Sequence, residues 1–593
     1  MKAATDLDLY GANYRDGVTE FRLWAPKAKN VLLRLIRGGR SEHRDYEMRR
    51  LGSSDFGVPD LEEEADADTF ILEIDARPGD LYFYMVDSGK PLPDPASRFL
   101  PEGVHGPSEI VDPNSFQWTD QRWRGLAFSK FVIYELHVGT FTPEGTLDAA
   151  IAKLPYLKDL GVTAIELMPM NAFPGHHNWG YDGVGLYAVQ ASYGGPDAVR
   201  RFVDAAHEHR LAVIQDVVYN HLGNEGNYVR EFGPYFTTKH QTPWGEAINY
   251  DDEQCAAVRR FIVGNALYWI GEYHMDGLRL DAVQTIKDDS EKHIVAEIAE
   301  RAHVLGRELG RKVVVTVESD ENDARYVTEY GADAVWSDDF HHVIHAMLNG
   351  ESKGYYQDFV GRTDLLPRVL NEGFGFQGEM FKFWNDVRGT SAEGVALPAN
   401  IICIQNHDQV GNRAKGERLT ELVSRGARKW AAALLLLAPE TPLLFMGQEF
   451  DEPSPFQFFT DYTDPFLKKA VSEGRRKEFA DFDWGNVPDP EETATFERSR
   501  LRWDWDDAQI EMLNWYKDLL RLRRELLLPG RRTCRAEWES DGVLRMQVPA
   551  ENPALIVRAS LPGRHLERQA EPGWFTVLRS DEDGYGLRVL RRG

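Results

Sequence analysis

The stretch MDGLRLDA, residues 275–282, alternates apolar and polar side chains and carries an Arg and an Asp two residues apart. In a β-strand, residues i and i+2 face the same side, so Arg279 and Asp281 share one face and Leu278 and Leu280 the other. If this strand lines a closed barrel, an Arg and an Asp in its interior are costly unless they satisfy each other. The Arg also favours the ionised form of the Asp, which makes Asp281 a candidate nucleophile. From this stretch alone, a structural ion pair at a strand end is an equally good interpretation.

Seven further apolar, β-rich runs alternate with segments of helical periodicity. The predicted strands are Phe131–Val138, Ala164–Met168, Ala212–Val218, Gly277–Leu280, Val313–Val317, Ala334–Trp336, Ile401–Gln405 and Pro442–Phe445. Helical spacing is found in residues 147–160, 199–206, 261–270 and 430–437, and a last helix is predicted over Ile510–Leu528. Eight strand–helix pairs with nearly continuous apolar strands predict a parallel (β/α)8 TIM barrel. A doubly wound open sheet is the alternative.

The segments on either side of this pattern predict two further domains. Residues 1–112 contain short β-rich runs, which indicate an N-terminal β-sandwich, and the charge run Leu61–Asp68 is interpreted as a solvated loop. Residues 113–529 are predicted to form the barrel with insertions, of which the longest precedes Ile401. Residues 530–593 turn to β-rich runs again and predict a small C-terminal β-sandwich.

Composition excludes several classes of partner. The 593 residues contain 68 Lys and Arg against 95 Asp and Glu, a net charge of −27, which argues against nucleic acid or an anionic membrane. Cys255, Cys403 and Cys534 are far apart and form no CxxC pattern, so neither a disulfide framework nor a zinc site is expected. The longest apolar run, Trp430–Pro439, is too short for a membrane span. We therefore expect a cytoplasmic protein without metal or cofactor.

Polar residues follow several predicted strands, at the carboxyl-terminal rim where barrel enzymes place their active sites. Asp216–His221 include the end of the third strand, Arg279 and Asp281 end the fourth, Glu318 follows the fifth, and Asn406–Asp408 follow the seventh. Several carboxylates on one rim are energetically expensive, an arrangement that active sites tolerate and cores avoid.

Paired carboxylates suit glycoside hydrolysis, in which one stays ionised and the other holds a proton. Arg279 favours the ionised form of Asp281, whereas Glu318 follows an apolar run close to other carboxylates, which predicts a raised pKa. Asp281 is therefore the predicted nucleophile and Glu318 the predicted general acid/base. Asp408 is expected to bind sugar hydroxyls and to stabilise positive charge at the reacting carbon.

The segments DVVYNH (216–221), GLRLDA (277–282), Glu318 and NHD (406–408) resemble the four ordered motifs of the α-amylase family of glycoside hydrolases. This resemblance implies a retaining mechanism with Asp281, Glu318 and Asp408 in the roles above. It also implies a sugar-binding role for a second set of residues: Arg279, His221, His407 and Tyr181.

Six further residues are predicted to contact substrate. Trp179 precedes Tyr181 in a rim loop, and Asp216 lies on the third strand. Arg413 closes the stretch CIQNHDQVGNR (403–413). Asp338, Asp339 and His341 follow the sixth strand and are candidates for binding the end of the substrate beyond the cleaved bond; the alternative is a loop-capping cluster.

Within the α-amylase family, the closer resemblance is to the maltooligosyltrehalose trehalohydrolase branch. The stretches that carry it are ELHVGTFTPEG (135–145), SDDFHH (337–342), CIQNHDQVGNR (403–413), FQFFTD (456–461) and SEGRRKEF (472–479). It implies hydrolysis of the α-1,4 bond next to a terminal trehalose unit of an α-glucan, after the action of a maltooligosyltrehalose synthase, by a monomer or homodimer. VESD (317–320) departs slightly from the pattern of that branch, which leaves the contacts around Glu318 open.

Three alternatives remain open at this point. A branching or debranching α-glucan enzyme shares FMGQEF (445–450), but a branching enzyme usually reads HDE where this chain reads HDQ (407–409). A glucan-binding homologue without catalysis is disfavoured by the complete carboxylate set. A metal-dependent barrel isomerase would require converging His and acidic ligands around a bound ion.

Overall fold

The computed structural model describes residues 9–37, 42–51, 68–478, 487–527, 532–539, 542–564, 566 and 572–593. The predicted loop Leu61–Asp68, apart from Asp68, lies outside these residues, as do Phe479, Leu528 and the predicted domain boundary at 529–530.

Eight parallel strands form the closed barrel that the sequence predicts. Their bounds are Ile133–Leu136, Ala164–Leu167, Ala212–Val217, Gly277–Leu280, Val314–Val317, Ala334–Trp336, Asn400–Ile402 and Thr441–Phe445. The eighth strand pairs with the first through Leu443–Ile133, Leu444–Tyr134 and Phe445–Glu135. Because this pairing leaves no free edge, the barrel prediction is confirmed and the open sheet is excluded.

Helices lie around the barrel and, in the case of Pro465–Glu478, at its rim. The longer ones are Leu154–Leu160, Gly195–Glu208, Cys255–Glu272, Ile294–Leu309, Asp338–Asn349, Leu365–Glu372, Arg425–Leu437, Pro465–Glu478 and Asp507–Leu522. Helical spacing between Leu147 and Leu160 is divided between two helices, Leu147–Ile151 and Leu154–Leu160. Pro155 lies in the first turn of the second helix, where its missing N–H costs nothing, but it could not continue the first.

The N-terminal domain contains two four-stranded sheets. One consists of Gly11–Arg15, Val18–Trp24, Thr69–Ile74 and Arg49–Arg50, and the other of Glu42–Glu47, Val31–Arg37, Leu81–Val86 and Ser108–Glu109. Phe21 of the first sheet packs edge-on against Tyr82 of the second, with ring centroids 5.0 Å apart. The two sheets share this buried aromatic contact, which confirms the predicted sandwich.

The described C-terminal residues form one five-stranded antiparallel sheet. Its strands are Arg535–Trp538, Val543–Val548, Leu555–Ser560, Trp574–Glu582 and Tyr585–Arg592. The sheet packs against the barrel helix Arg425–Leu437, from which Lys429 forms an ion pair of 2.7 Å with Glu582. The β-rich domain expected after the barrel is present.

Two hairpins extend from the barrel loops. Phe236–Thr242 pairs with Gly245–Ile248 after the third strand, and Glu379–Phe381 pairs with Asp386–Arg388 within the long insertion before the seventh. Both hairpins supply residues to the cleft described below. Over the described part of the chain, no helix has both the length and the apolar character needed to cross a membrane.

Candidate active site

Arg279 joins three carboxylates from neighbouring strands. Its Nη1 donates to Asp281 Oδ1 at 2.8 Å and to both carboxylate oxygens of Asp216 at 2.9 and 3.0 Å. Its Nη2 lies 2.8 Å from Glu318 Oε2. The guanidinium is fully buried and its carbon lies 4.4 Å from the ring centroid of Trp336. One fixed cation thus holds the third, fourth and fifth strands together at their carboxyl ends.

Asp281 is held from a second direction by Asn220. The Asn220 amide donates at 2.7 Å to Asp281 Oδ2 and also at 2.7 Å to its backbone oxygen. With Arg279 on Oδ1, the carboxylate has one orientation, which a nucleophile requires before its substrate arrives. The sequence reasoning did not single out Asn220, although it stands inside the DVVYNH segment.

Glu318 has the protonation expected of a general acid. Burial raises the pKa of Glu318 well above its usual range; Arg279 lowers it, and Asp281 and Asp408 raise it further. The backbone N–H of Ala282 donates to Glu318 Oε2 at 2.9 Å. Ala282 has φ +40°, which is costly for a residue with a Cβ, so the barrel holds this amide in a strained position beside the candidate nucleophile.

The register of the barrel places the two candidate catalytic groups on adjacent strand ends. Leu280 pairs with Val317, so Asp281 and Glu318 follow one pair on adjacent parallel strands, which are about 4.8 Å apart. Retaining glycosidases place their two carboxyl groups about 5–5.5 Å apart, whereas inverting enzymes need about 6.5–9.5 Å. Adjacent strand ends therefore favour the retaining spacing.

His407 lies between two carboxylates. Its Nδ1 is hydrogen-bonded to Glu135 Oε1, its backbone N–H donates to Glu135 Oε2 at 3.0 Å, and its Nε2 lies 3.5 Å from Asp408 Oδ1. Burial alone would lower the pKa of His407, but Asp408 and Glu135 outweigh it and raise the pKa to about 10. These two carboxylates therefore favour the imidazolium form at neutral pH. Asn406 caps the short helix that presents Asp408, accepting from the N–H of Gln409 at 2.7 Å.

Aromatic residues surround this charged centre. Tyr181 donates to Asp216 Oδ2 at 2.7 Å, and its ring stacks on His407 with centroids 5.1 Å apart. His221 contacts the backbone oxygen of Tyr181 at 2.9 Å and stacks on Trp244 at 4.3 Å. Trp179 is fixed by a hydrogen bond of 2.9 Å from its indole to the oxygen of Gln457.

The structure places the predicted site residues in two groups. Nine face a cleft of about 860 Å³: Asp281, Glu318, Asp408, His221, His407, Tyr181, Trp179, Asp338 and Arg413. The other four, Arg279, Asp216, Asp339 and His341, lie behind its lining. From there they can act on a substrate only through the residues in front of them.

Asp339 illustrates the second group. Its carboxylate is fully buried and accepts hydrogen bonds from Asn322 at 2.6 Å, Arg388 at 2.6 Å and the N–H of Gly375 at 2.7 Å. Burial would raise the pKa of Asp339, but Arg388 and Asn322 outweigh it and hold the pKa below its usual value. These contacts fasten the long insertion to the barrel. The neighbouring Asp338 instead faces the cleft, where burial raises its pKa to about 7.

His341 and Arg413 also differ from each other: His341 is buried and Arg413 faces the cleft. His341 packs against His345, with centroids 5.4 Å apart, on the inner side of its helix. Arg413 faces the cleft, and its Nη1 donates to Glu351 Oε2 at 2.8 Å.

Many of the cleft aromatics were not found by sequence reasoning. They are Trp244, Tyr355, Tyr356, Phe381, Phe383, Trp384 and Phe458. Most of them belong to the insertion before the seventh strand. The length of this insertion and its Gly, Phe and Trp content were the only features of the sequence that pointed to a functional role for it. Flat rings of this kind suit the apolar faces of sugar rings.

One cluster has the composition of a metal site. His240, Asp251 and Asp289 offer ligand atoms within 4.8 Å of one another. However, Lys239 Nζ lies 2.8 Å from Asp251 and 3.6 Å from Asp289, so an ammonium group already provides the positive charge there. We assign no ion to this cluster.

The barrel and its rim of carboxylates define a glycoside hydrolase of the α-amylase class. Residues 110–245 match the family model described as the alpha amylase catalytic domain. A malto-oligosyltrehalose trehalohydrolase from Saccharolobus solfataricus is 46% identical over 528 residues, which cover 88% of this chain and 88% of the relative. Another, from Arthrobacter ramosus, is 44% identical over 92% of this chain and 98% of its own.

A solved structure shares the fold over nearly the whole chain. A crystal structure of a protein from Salmonella typhimurium has a TM-score of 0.88 and 39% identity, and the match covers 98% of this chain and 99% of that one. The chain belongs to the malto-oligosyltrehalose trehalohydrolase family. The resemblance proposed from the sequence is therefore confirmed.

Proposed function

We propose that this protein hydrolyses the α-1,4 bond next to the terminal trehalose unit of a maltooligosyltrehalose, releasing trehalose and a maltooligosaccharide. The observation that carries the chemistry is the pair of carboxyls, Asp281 and Glu318, on adjacent strand ends around one buried Arg279. The trehalose specificity rests on family membership.

In the first step, Asp281 attacks the anomeric carbon while Glu318 gives its proton to the glycosidic oxygen. The bond to that oxygen breaks, trehalose leaves with the new hydroxyl, and the glucan remains attached to Asp281. In the second step, Glu318 takes a proton from water, whose oxygen displaces Asp281 from the same carbon. Two inversions give net retention, and Glu318 ends protonated again.

Asp408 and His407 are proposed to act at the sugar bound before the cleaved bond. Positive charge develops at the anomeric carbon in the transition state, and a partly exposed carboxylate beside it stabilises that charge. Tyr181 supplies a ring for the same sugar to stack on, because Asp216 and His407 fix its orientation.

Product analysis tests the substrate assignment. Incubation with maltotriosyltrehalose is expected to give trehalose and maltotriose, resolved by anion-exchange chromatography. Amylose is the control substrate. New α-1,6 branches on amylose, without trehalose from the first substrate, would identify a branching enzyme instead, and cleavage of pullulan would identify a debranching enzyme.

The pH dependence of Glu318→Gln tests the general acid. Because Glu318 must carry a proton and its pKa is raised, wild-type kcat/KM is expected to fall on the alkaline side as that proton is lost. The variant lacks this limb and loses about 10²–10⁴-fold in rate on the natural substrate. A maltosyl fluoride has a leaving group that needs no proton, so its first-turnover release of fluoride is expected to show a much smaller loss in the variant. Equal losses on both substrates would contradict the assignment.

We also propose where the protein acts. Its substrate must come from an enzyme that rearranges the reducing end of a maltooligosaccharide into trehalose, a maltooligosyltrehalose synthase.

Cys255, Cys403 and Cys534 are free, as expected for a reducing cytoplasm. Size-exclusion chromatography with light scattering distinguishes a monomer from a homodimer.

A further inference from the structure

The first barrel strand contributes Glu135, which is distant in sequence from the other residues of the site. Glu135 lies 272 residues before His407, and both side chains are 1% exposed. Each carboxylate oxygen of Glu135 has its own partner on His407: Oε1 the ring Nδ1 and Oε2 the backbone N–H. This two-point contact fixes the position of the imidazole and places a negative charge beside it.

The other ring nitrogen makes the charge of His407 important. A neutral imidazole has one N–H, and the contact with Glu135 would keep that proton on Nδ1. Nε2 would then present a lone pair toward the Asp408 carboxylate 3.5 Å away, which has only lone pairs itself. An imidazolium has N–H groups at both nitrogens, so Nε2 can donate to Asp408 or to a sugar hydroxyl.

We propose that Glu135 is a positioning residue that keeps His407 as an imidazolium, with its Nε2–H directed at Asp408 and the bound sugar. This role rests on the proposed function for its sugar, but the charge of His407 does not depend on which glucan is cleaved. Glu135 itself lies behind His407 and does not line the cleft.

Other titratable groups surround His407. They are His137 after the first strand, Glu166 from the second, Asp216 from the third, Arg279 from the fourth, Glu318 after the fifth, and Tyr181 and Asp408 from the rim. Arg279 lowers the pKa of His407, and Asp408 and Glu135 raise it. Glu135 is hydrogen-bonded to the imidazole ring of His407. Removing the charge of Glu135 is therefore the most direct test of its effect on His407.

Glu166 provides a matched control on the neighbouring strand. It pairs in register with Glu135 and is equally buried. Neither of its carboxyl oxygens has a hydrogen-bond partner among the described residues. Burial raises its pKa well above the usual range, with Glu135 adding to the shift, and this favours the neutral form of Glu166. Glu166→Gln therefore changes neither charge nor shape much, whereas Glu135→Gln keeps the shape and removes a charge.

The test compares kcat and kcat/KM of wild type, Glu135→Gln and Glu166→Gln between pH 5 and 9, on the full-length protein. In Glu135→Gln the pKa of His407 falls, and activity above the new pKa is expected to drop about tenfold per pH unit, mainly in kcat. Activity recovers toward acid pH, where His407 is charged again. Glu166→Gln is expected to follow the wild-type profile. Thermal unfolding confirms that each variant is folded.

Proton NMR gives a second readout that requires no substrate. The strong His407–Glu135 hydrogen bond is expected to give an imidazole N–H resonance downfield of the amides, assigned by its loss in His407→Asn and retained to pH 9. The resonance persists in Glu166→Gln and disappears in Glu135→Gln.

Three results would overturn the proposal. They are a wild-type pH profile in Glu135→Gln, an equal change in Glu166→Gln, and a His407 that titrates near the ordinary histidine value of about 6.5 in wild type. Failure of the wild type to release trehalose would instead overturn the proposed function, because the NMR result stands without any substrate.

Discussion

Replacing Asp281 by Asn is expected to lower kcat by about 10⁴-fold or more, the scale on which loss of a covalent nucleophile acts. The amide cannot form the glycosyl ester, and it also places a donor where Arg279 and Asn220 already donate. KM is expected to change much less, because the lost interaction is made in the transition state. Release of trehalose over hours, followed by chromatography, measures the residual rate.

A small external anion provides the control for this variant. In Asp281→Gly, azide can occupy the vacated space and attack the anomeric carbon while Glu318 protonates the leaving trehalose. The expected product is a β-maltooligosyl azide, formed by a single inversion. Turnover of Asp281→Asn within tenfold of wild type, or an azide product of α configuration, would contradict the role of Asp281.

Asp339→Asn is expected to have the largest effect on stability. It removes the charge that faces the buried Arg388 at 2.6 Å, and breaking one side of a buried ion pair costs about 3–5 kcal/mol. The free energy of unfolding in urea should fall by this amount if unfolding is two-state. The insertion that carries Gly375 and Arg388 loosens, so KM is expected to rise as well.

Asp338→Asn is the matched control, because Asp338 and Asp339 are adjacent in sequence but their side chains point in different directions. Asp338 faces the cleft, so its amide variant is expected to change KM while leaving the unfolding transition within about 0.5 kcal/mol of wild type. If Asp339→Asn changed only KM and kept wild-type stability, Asp339 would be a substrate contact, as its position in the sequence first suggested.

The sequence was sufficient to predict the barrel and the identity of the candidate catalytic groups. All eight strands were found because a parallel strand covered on both faces must be apolar along its length. Asp281, Glu318 and Asp408 could be collected because the carboxyl ends of all strands in such a barrel meet at one rim. The contact between Arg279 and Asp281 could be predicted because residues two apart on a strand share a face.

The tertiary structure alone decided which side chains meet across the barrel. Closure places the first strand beside the eighth, and this brings Glu135 to His407 across 272 residues. The turn of the helix after the sixth strand sends Asp338 into the cleft and Asp339 away from it. Local pattern fixes the secondary structure and the polarity of a face, but contacts between distant segments depend on how the chain closes. Those long-range contacts determine which polar residues face a substrate and which hold the others in place.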